Sequence, residues 1–174
     1  MKNKIFNILV FTLLGTLLYT LKLVMEPLPN IHLTSMLIIV FTIVFGVKAL
    51  FPIYVFVAIS GVQAVVSGTM LWWPAYTYIW LFPFLLTLLV PKKLNKKILI
   101  PIYMVICGLH GFLFGALYAP MQALIFGMNF KATVSWIITG LPFDVVHGIS
   151  NFIAGSLIYP LSQVLKKAYN KYIY

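Results

Sequence analysis

The chain alternates between long apolar runs and short segments that hold most of its lysines, prolines and glycines. An α-helix needs about twenty apolar residues to cross roughly 30 Å of hydrocarbon, and the runs approach that length. The pattern predicts six membrane-spanning helices, at about residues 5–25, 32–47, 50–67, 72–90, 98–118 and 143–165. The joints between them are marked by residues that interrupt helices, namely Pro27, Pro29, Pro52, Gly68, Pro74, Pro91 and Pro142.

The stretch APMQALIFGMNFKATVSWIITGL, residues 119–141, is apolar enough to be a seventh span. A seventh span would hold Asn129 and Lys131 near its centre, and it would move the lysines near the C-terminus to the outer side. We therefore interpret residues 119–141 as an outer-face segment, partly helical, that lies over the bundle.

Composition supports the membrane class, because 63% of the residues are hydrophobic and only 8% are charged. A mean hydropathy of +1.06 excludes an ordinary water-soluble domain. The runs also lack the ten-residue alternation of a transmembrane β-barrel. The predicted fold class is an all-α integral membrane protein, with residues 1–174 as one membrane domain. The single cysteine, Cys107, lies in an apolar run and excludes an internal disulfide.

The twelve lysines, which give a net charge of +10, set the orientation. Cytoplasmic loops carry an excess of basic residues, so these lysines indicate a membrane topology rather than a nucleic-acid partner. With both termini in the cytoplasm, the outer segments hold only Lys22 and Lys131. The inner segments then hold Lys2, Lys4, Lys48, Lys92, Lys93, Lys96, Lys97, Lys166, Lys167 and Lys171. We expect a multi-pass protein of the bacterial plasma membrane.

A polar stripe runs along the last predicted span. Asp144, His147 and Asn151 are spaced i, i+3 and i+7, so on a helix they share one narrow face with Gly148 and Gly155. A charged side chain at the centre of a membrane helix costs about 2.5–3.5 kcal/mol, so such residues usually face the bundle interior or a water-filled cavity. The stripe is predicted to face the interior of the bundle. We interpret Asp144 and His147 together as functional residues rather than packing residues.

Other candidate ligand contacts fall in the outer half of the predicted bundle. Glu26 precedes the segment PLPNIH, which contains His32, and aromatic residues open the fourth span as WWPAYTYIW. Trp72 and Trp73 also fit an interfacial aromatic belt. The remaining candidates are Gln63, Trp73, Tyr76 and Trp80.

His110 lies in mid-span, in CGLHGFLFG, and is also a candidate contact. An isolated histidine at such a position more often serves packing through a hydrogen bond. Gly111 and Gly115 form a GxxxG motif that allows close helix approach, and internal packing is its ordinary role.

These residues favour binding over catalysis. The sequence has no HExxH motif, no GxSxG turn and no GxxxxGK[ST] loop, so we expect neither an enzyme nor a bound metal or cofactor. A small bundle with an outward polar pocket and no ATP site indicates a capture subunit that relies on partners. A stand-alone proton-coupled carrier is the alternative. A small membrane enzyme is a third hypothesis.

The segment GLPFDVVHG, residues 140–148, is similar to the PFN-x-x-K-G opening of the last span in riboflavin-type S-components of energy-coupling factor (ECF) transporters. The six spans and cytoplasmic termini resemble that family over the whole chain. By the match, Asp144 replaces a ligand-contacting asparagine and His147 replaces a lysine, which suits a cationic or donor-rich ring.

The resemblance implies binding of a water-soluble vitamin or related micronutrient from outside, with the loop after the first span as a lid. It implies a transmembrane coupling subunit and two ATPase subunits as partners. Members of the family dock through small residues on the first span, and Thr12, Gly15 and Thr16 approximate that pattern here.

Overall fold

The computed structural model describes residues 2–173, and the described part is helical without strands. Two 3-10 turns, Gly46–Ala49 and Met70–Trp72, connect successive helices. The helices, labelled in chain order, are α1 (Lys2–Val24), α2 (Thr34–Phe45), α3 (Leu50–Val66), α4 (Tyr76–Ile79), α5 (Leu81–Leu89), α6 (Lys96–Phe112), α7 (Phe114–Phe126), α8 (Phe130–Gly155) and α9 (Ile158–Ile173).

Four helical stretches in the described residues are long and apolar enough to cross a membrane. They are Lys4–Val24, Thr34–Val66, Lys96–Phe126 and Phe130–Gly155. The second stretch bends, because Gly46 has a φ of 59°, which glycine adopts without steric cost. The all-helical membrane class agrees with the sequence interpretation, while six crossings and cytoplasmic termini stay predictions.

The predicted second and fourth spans are shorter helices than expected. α2 has 12 residues, which corresponds to about 18 Å of helix. The fourth, expected at 72–90, begins with a 3-10 turn and is divided at Trp80 into α4 and α5. Pro74 precedes this region, and the chain regains helical hydrogen bonds only at Tyr76.

The largest difference from the predicted elements concerns residues 119–141. Residues 119–126 continue α7, and residues 130–141 form the first half of α8. Pro142 therefore lies inside α8 instead of at its start, and the predicted sixth span, 143–165, is divided between α8 and α9. Proline is tolerated in membrane helices where neighbouring groups satisfy the backbone.

α6 and α8 pack closely along a line of glycines. A methyl group on Gly111 would lie 2.6 Å from the carbonyl oxygen of His147 and 2.7 Å from the Cα of Gly148, and on Gly155 it would lie 2.7 Å from the Cα of Met104. These distances leave room for hydrogen alone. The GxxxG motif therefore brings two helices of the same chain together, as the sequence predicts.

The buried core joins these helices to α2, α3 and α5. It contains large apolar side chains such as Ile39, Phe41, Phe56 and Phe84. At the opposite end from the α1–α2 loop, Tyr169 of α9 donates a hydrogen bond to Asn7 Oδ1 over 2.6 Å, which ties α9 to α1. This packing holds the end of α1, the short helix α4 and the middle of α8 around a hollow region.

Candidate functional site

Two adjoining cavities occupy the bundle at the end where α1 meets the α1–α2 loop, residues 25–33. In the described part of the chain, the larger has a volume of about 400 Å³ and the smaller about 170 Å³. Lys22, Asn30, Tyr76 and Phe114 line both. We call them the outer-end cavities, because the sequence places this end of the bundle outside.

Most of the sequence-predicted contacts line these cavities. Gln63 from α3, Trp73, and Asp144 from α8 line the larger cavity, and Glu26, Trp80 and His147 line the smaller. Tyr76 belongs to both. Residues that are far apart in sequence thus meet around one region.

The three aromatic residues predicted on one face of the fourth span lie around the outer-end cavities, although Trp73 precedes α4. The rings of Tyr76 and Trp80 lie 5.3 Å apart between centroids, and Trp80 lies 6.2 Å from Phe114. The indole nitrogen of Trp73 donates to the Val57 carbonyl over 2.8 Å, which holds that ring against α3. The aromatic wall is therefore fixed by packing and by a hydrogen bond.

Asp144 has a structural role that the sequence did not reveal. Its two carboxylate oxygens each lie 3.1 Å from the amide nitrogen of Gly115, which donates to them. Gly115 is in the first turn of α7, where a helix leaves amide hydrogens without intrahelical partners and favours negative charge. Asp144 thus stabilises the break between α6 and α7 and also faces the larger cavity.

The chain's three histidines lie together. His147 makes edge contacts with His32, at 5.6 Å between ring centroids, and with His110, at 6.2 Å. Burial lowers the pKa of His32 below its ordinary value, Lys22 lowers it further, and Glu26 acts in the opposite direction. His32 lies in the α1–α2 loop, and it lines the smaller cavity.

His110 and Asn151 are fully buried but line neither outer-end cavity among the described residues. Both contact Ser35, because its hydroxyl lies 2.6 Å from His110 Nδ1 and accepts from Asn151 Nδ2 over 3.4 Å. Ser35, His110 and Asn151 thus form a buried polar cluster next to His147, whose ring lies 6.2 Å from that of His110 between centroids. This placement agrees with the interpretation of His110 as a packing residue. Ser35, in the first turn of α2, was not identified from the sequence.

Several buried polar atoms near the cavities have no hydrogen-bond partner among the described residues. Trp80 Nε1 and His32 Nδ1 are unpaired beside the smaller cavity, and Ser60 Oγ is unpaired beside the larger. Trp80 is 5% exposed and Ser60 is 4% exposed. An unsatisfied buried donor costs about 1–3 kcal/mol, so these atoms favour a polar molecule in the cavities.

The α1–α2 loop is held over the site by specific contacts. Asn30 has a φ of 60°, a left-handed conformation that asparagine tolerates better than most residues. Its carbonyl accepts a hydrogen bond from Ser150 Oγ of α8 over 3.2 Å. The loop that the family resemblance assigns as a lid thus contacts the helix that carries the polar stripe.

Sequence reasoning missed part of the cavity wall. Lys22, Ser60, Tyr118 and Trp136 line the larger cavity. Trp136 lies in the segment that the sequence assigned to an outer face, and Lys22 was used only to orient the chain. One available signal was the four-residue spacing of Lys22 and Glu26, although α1 ends at Val24, before Glu26.

The residues predicted for docking separate into two groups. Gly15 is buried, and a methyl group there would lie 2.6 Å from Val55 Cβ and 2.7 Å from the Pro52 carbonyl. Gly15 therefore serves packing between α1 and α3 and is not accessible to a partner. Thr12 and Thr16 are exposed, and the Thr16 hydroxyl donates to the Thr12 carbonyl.

Among the described residues, no group of three or more histidine, cysteine, aspartate or glutamate side chains is arranged to hold a metal ion. Comparison with protein-family models, with curated proteins and with solved structures found no match to the chain.

Proposed function

We propose that the protein is a substrate-capture subunit of the S-component type. It binds a water-soluble, vitamin-like nutrient from outside the cell and delivers it inward together with an ECF transmembrane coupling subunit and two ATPase subunits. The proposal includes six membrane crossings, cytoplasmic termini and a location in the bacterial plasma membrane.

The observation that carries the proposal is the pair of outer-end cavities. A volume of about 400 Å³ lies within the range of small-molecule sites, which are mostly apolar with a few converging polar groups. The walls combine the Trp73, Tyr76 and Trp80 rings with Asp144 and Gln63. Such a wall stacks against a flat heterocycle and fixes its orientation through hydrogen bonds.

The loop over the cavities fits capture from outside. Its Asn30 carbonyl contacts Ser150, and its His32 ring contacts His147, so a ligand would enter by displacing these two contacts. Neither is a large apolar interface, which suits a segment that opens and closes.

Native mass spectrometry of the purified protein tests the function. We expect a co-purified small molecule that is retained in Gln163→Ala, because Gln163 is exposed in α9 away from the cavities. Gln63→Ala and Trp80→Phe should lose it, since each removes a polar atom from a cavity wall. A bound molecule that is indifferent to both changes would contradict this site, and a protein that binds no small molecule would contradict the function.

The histidine cluster favours the second candidate, a proton-coupled carrier, because ionisable groups inside a membrane protein often relay protons. Uptake into liposomes distinguishes the two functions. A capture subunit requires the coupling subunit and the ATPases for uptake, whereas a carrier transports with this chain alone and responds to a pH gradient.

A further inference from the structure

Lys22 is the one lysine, among those in the described part of the chain, that lines the outer-end cavities. It lies near the end of α1 and is partly buried. Its position in the walls of both cavities places its cationic side chain where they adjoin.

Lys22 makes no hydrogen bond or ion pair within the described residues. Lys22 and His32 line the same smaller cavity. An ammonium group in a cavity wall without an ion pair is available to form a charge-assisted hydrogen bond with an anionic ligand. Among the described residues, Lys22 offers such a group to both cavities.

The two carboxylates of the chain do not compensate Lys22. Asp144 uses both of its oxygens to accept from Gly115. Glu26, one helical turn beyond Lys22, lines the smaller cavity, is exposed and forms no ion pair within the described residues. The fold thus keeps the acids near Lys22 without joining either to it.

We infer that Lys22 binds an anionic group of the captured molecule, and that the ligand is an aromatic monocarboxylate. The inference rests on the proposed function and names its substrate class. The ring lies against Tyr76 and Phe114, which line both cavities, and the carboxylate pairs with the Lys22 ammonium group. A dianionic phosphate fits less well, because Glu26 in the same wall would repel its second charge.

The test uses matched probes that differ only in charge. Isothermal titration calorimetry in detergent compares pyridine-3-carboxylate with pyridine-3-carboxamide, and 4-aminobenzoate with 4-aminobenzamide. We expect a carboxylate to bind more tightly than its amide in at least one pair. Lys22→Gln should weaken carboxylate binding about 10- to 100-fold, the usual range for a charge-assisted hydrogen bond, and weaken amide binding much less, because the amide carries no charge.

Two further variants control for folding and for general charge. Lys22→Arg keeps the cation and should retain most of the carboxylate affinity. Lys131→Gln removes an exposed lysine that lines neither cavity and should bind like the wild type. Lys22→Arg and Lys131→Gln should unfold at the wild-type temperature, and Lys22→Gln at that temperature or slightly above it, because Lys22 makes no hydrogen bond or ion pair in the described structure and Lys131 is exposed.

The outcomes separate this inference from the proposed function. Equal binding of carboxylates and amides, or carboxylate binding that survives in Lys22→Gln, overturns the role of Lys22 and leaves the capture function standing. Failure of every probe to bind overturns the substrate class, and the absence of any co-purified molecule in native mass spectrometry overturns the capture function as well.

Discussion

Asp144 combines a structural contact with a place in the cavity wall. The carboxylate accepts the Gly115 amide at the start of α7 and, at the same time, lines the larger cavity. The loss of ligand binding in an Asp144 variant is therefore not sufficient to assign a ligand contact. Gln63 is a cleaner probe of the site, because among the described residues its side chain bonds only to Ser67, just past the end of its own helix.

Asp144→Ala should lower stability, because it leaves the Gly115 amide hydrogen without its acceptor. The expected loss is about 1–3 kcal/mol in the free energy of unfolding. Asp144→Asn retains one acceptor oxygen and should lose less. Unfolding in detergent, followed by circular dichroism, measures both, and an alanine variant as stable as the wild type would contradict the helix-start role.

His32 predicts a pH dependence. Burial lowers the pKa of His32 below 6.5, with Lys22 adding to the lowering and Glu26 opposing it. The folded protein then binds this proton less readily than the unfolded chain. The stabilising contribution is present above about pH 6.5 and is lost as the pH falls toward the folded-state pKa.

The measurement compares thermal unfolding of the wild type and His32→Gln at pH 7.5 and pH 5. Glutamine does not titrate, so the variant should lose less stability than the wild type on acidification. The comparison therefore reports on His32 together with its contact to His147, whose ring lies 5.6 Å away between centroids. An equal loss in the two proteins would show that His32 does not contribute.

At the level of helices, α8 has one buried face of polar residues and glycines and one exposed apolar face. Asp144, His147, Gly148, Asn151 and Gly155 are all buried, as the i, i+3, i+7 spacing predicts. The apolar residues between them are exposed, which suits a lipid-facing surface: Val145, Val146, Ile149, Phe152 and Ile153. Periodicity was sufficient here, because a helix fixes the direction of every side chain around its axis.

Gly111→Ala should destabilise the protein by about 1–3 kcal/mol, because its methyl group would meet the backbone of α8. Gly140→Ala is the matched control, since a methyl group at this helical glycine meets nothing within 4 Å. We expect the control to unfold like the wild type or at a slightly higher temperature. Similar unfolding of the two variants would contradict close packing at Gly111.

The element boundaries were less predictable. Sequence reasoning placed a joint at Pro142, but α8 continues through it from Phe130 to Gly155. Proline inside a helix removes a backbone hydrogen bond and causes a steric clash. The sequence near Pro142 shows this cost, but it does not show the stabilisation that α8 gains by packing on α6. The division of α4 from α5 at Trp80 has a signal that the prediction did not use, because Pro83 in the first turn of α5 has no amide hydrogen to continue a helix from Ile79.

For the whole molecule, the helical hairpin of α6–α7 and α8 gives a test of orientation. In a Cys107→Ser background, Lys93→Cys and Lys131→Cys place one thiol before α6 and one at the start of α8. With an impermeant maleimide on intact cells, we expect labelling at position 131 only, and labelling at position 93 after permeabilisation. Labelling at 93 alone would reverse the orientation, and labelling at both would contradict the odd number of crossings between them.

The sequence by itself determined the class of the protein and the inward stripe on α8. Long apolar runs and sparse charge require a helical membrane protein, and helical periodicity fixes which side chains share a face. Most of the candidate contacts that it selected also line the cavities, because ionisable groups in apolar segments are costly and stand out.

Only the tertiary structure decided how these residues are combined. It joined Lys22 to the cavity walls, gave Asp144 a partner in Gly115, placed His110 and Asn151 behind the site with Ser35, and buried Gly15 against α3. The reason is physical: each of these contacts depends on the distance between helices remote in sequence, and periodicity within one helix carries no information about that distance.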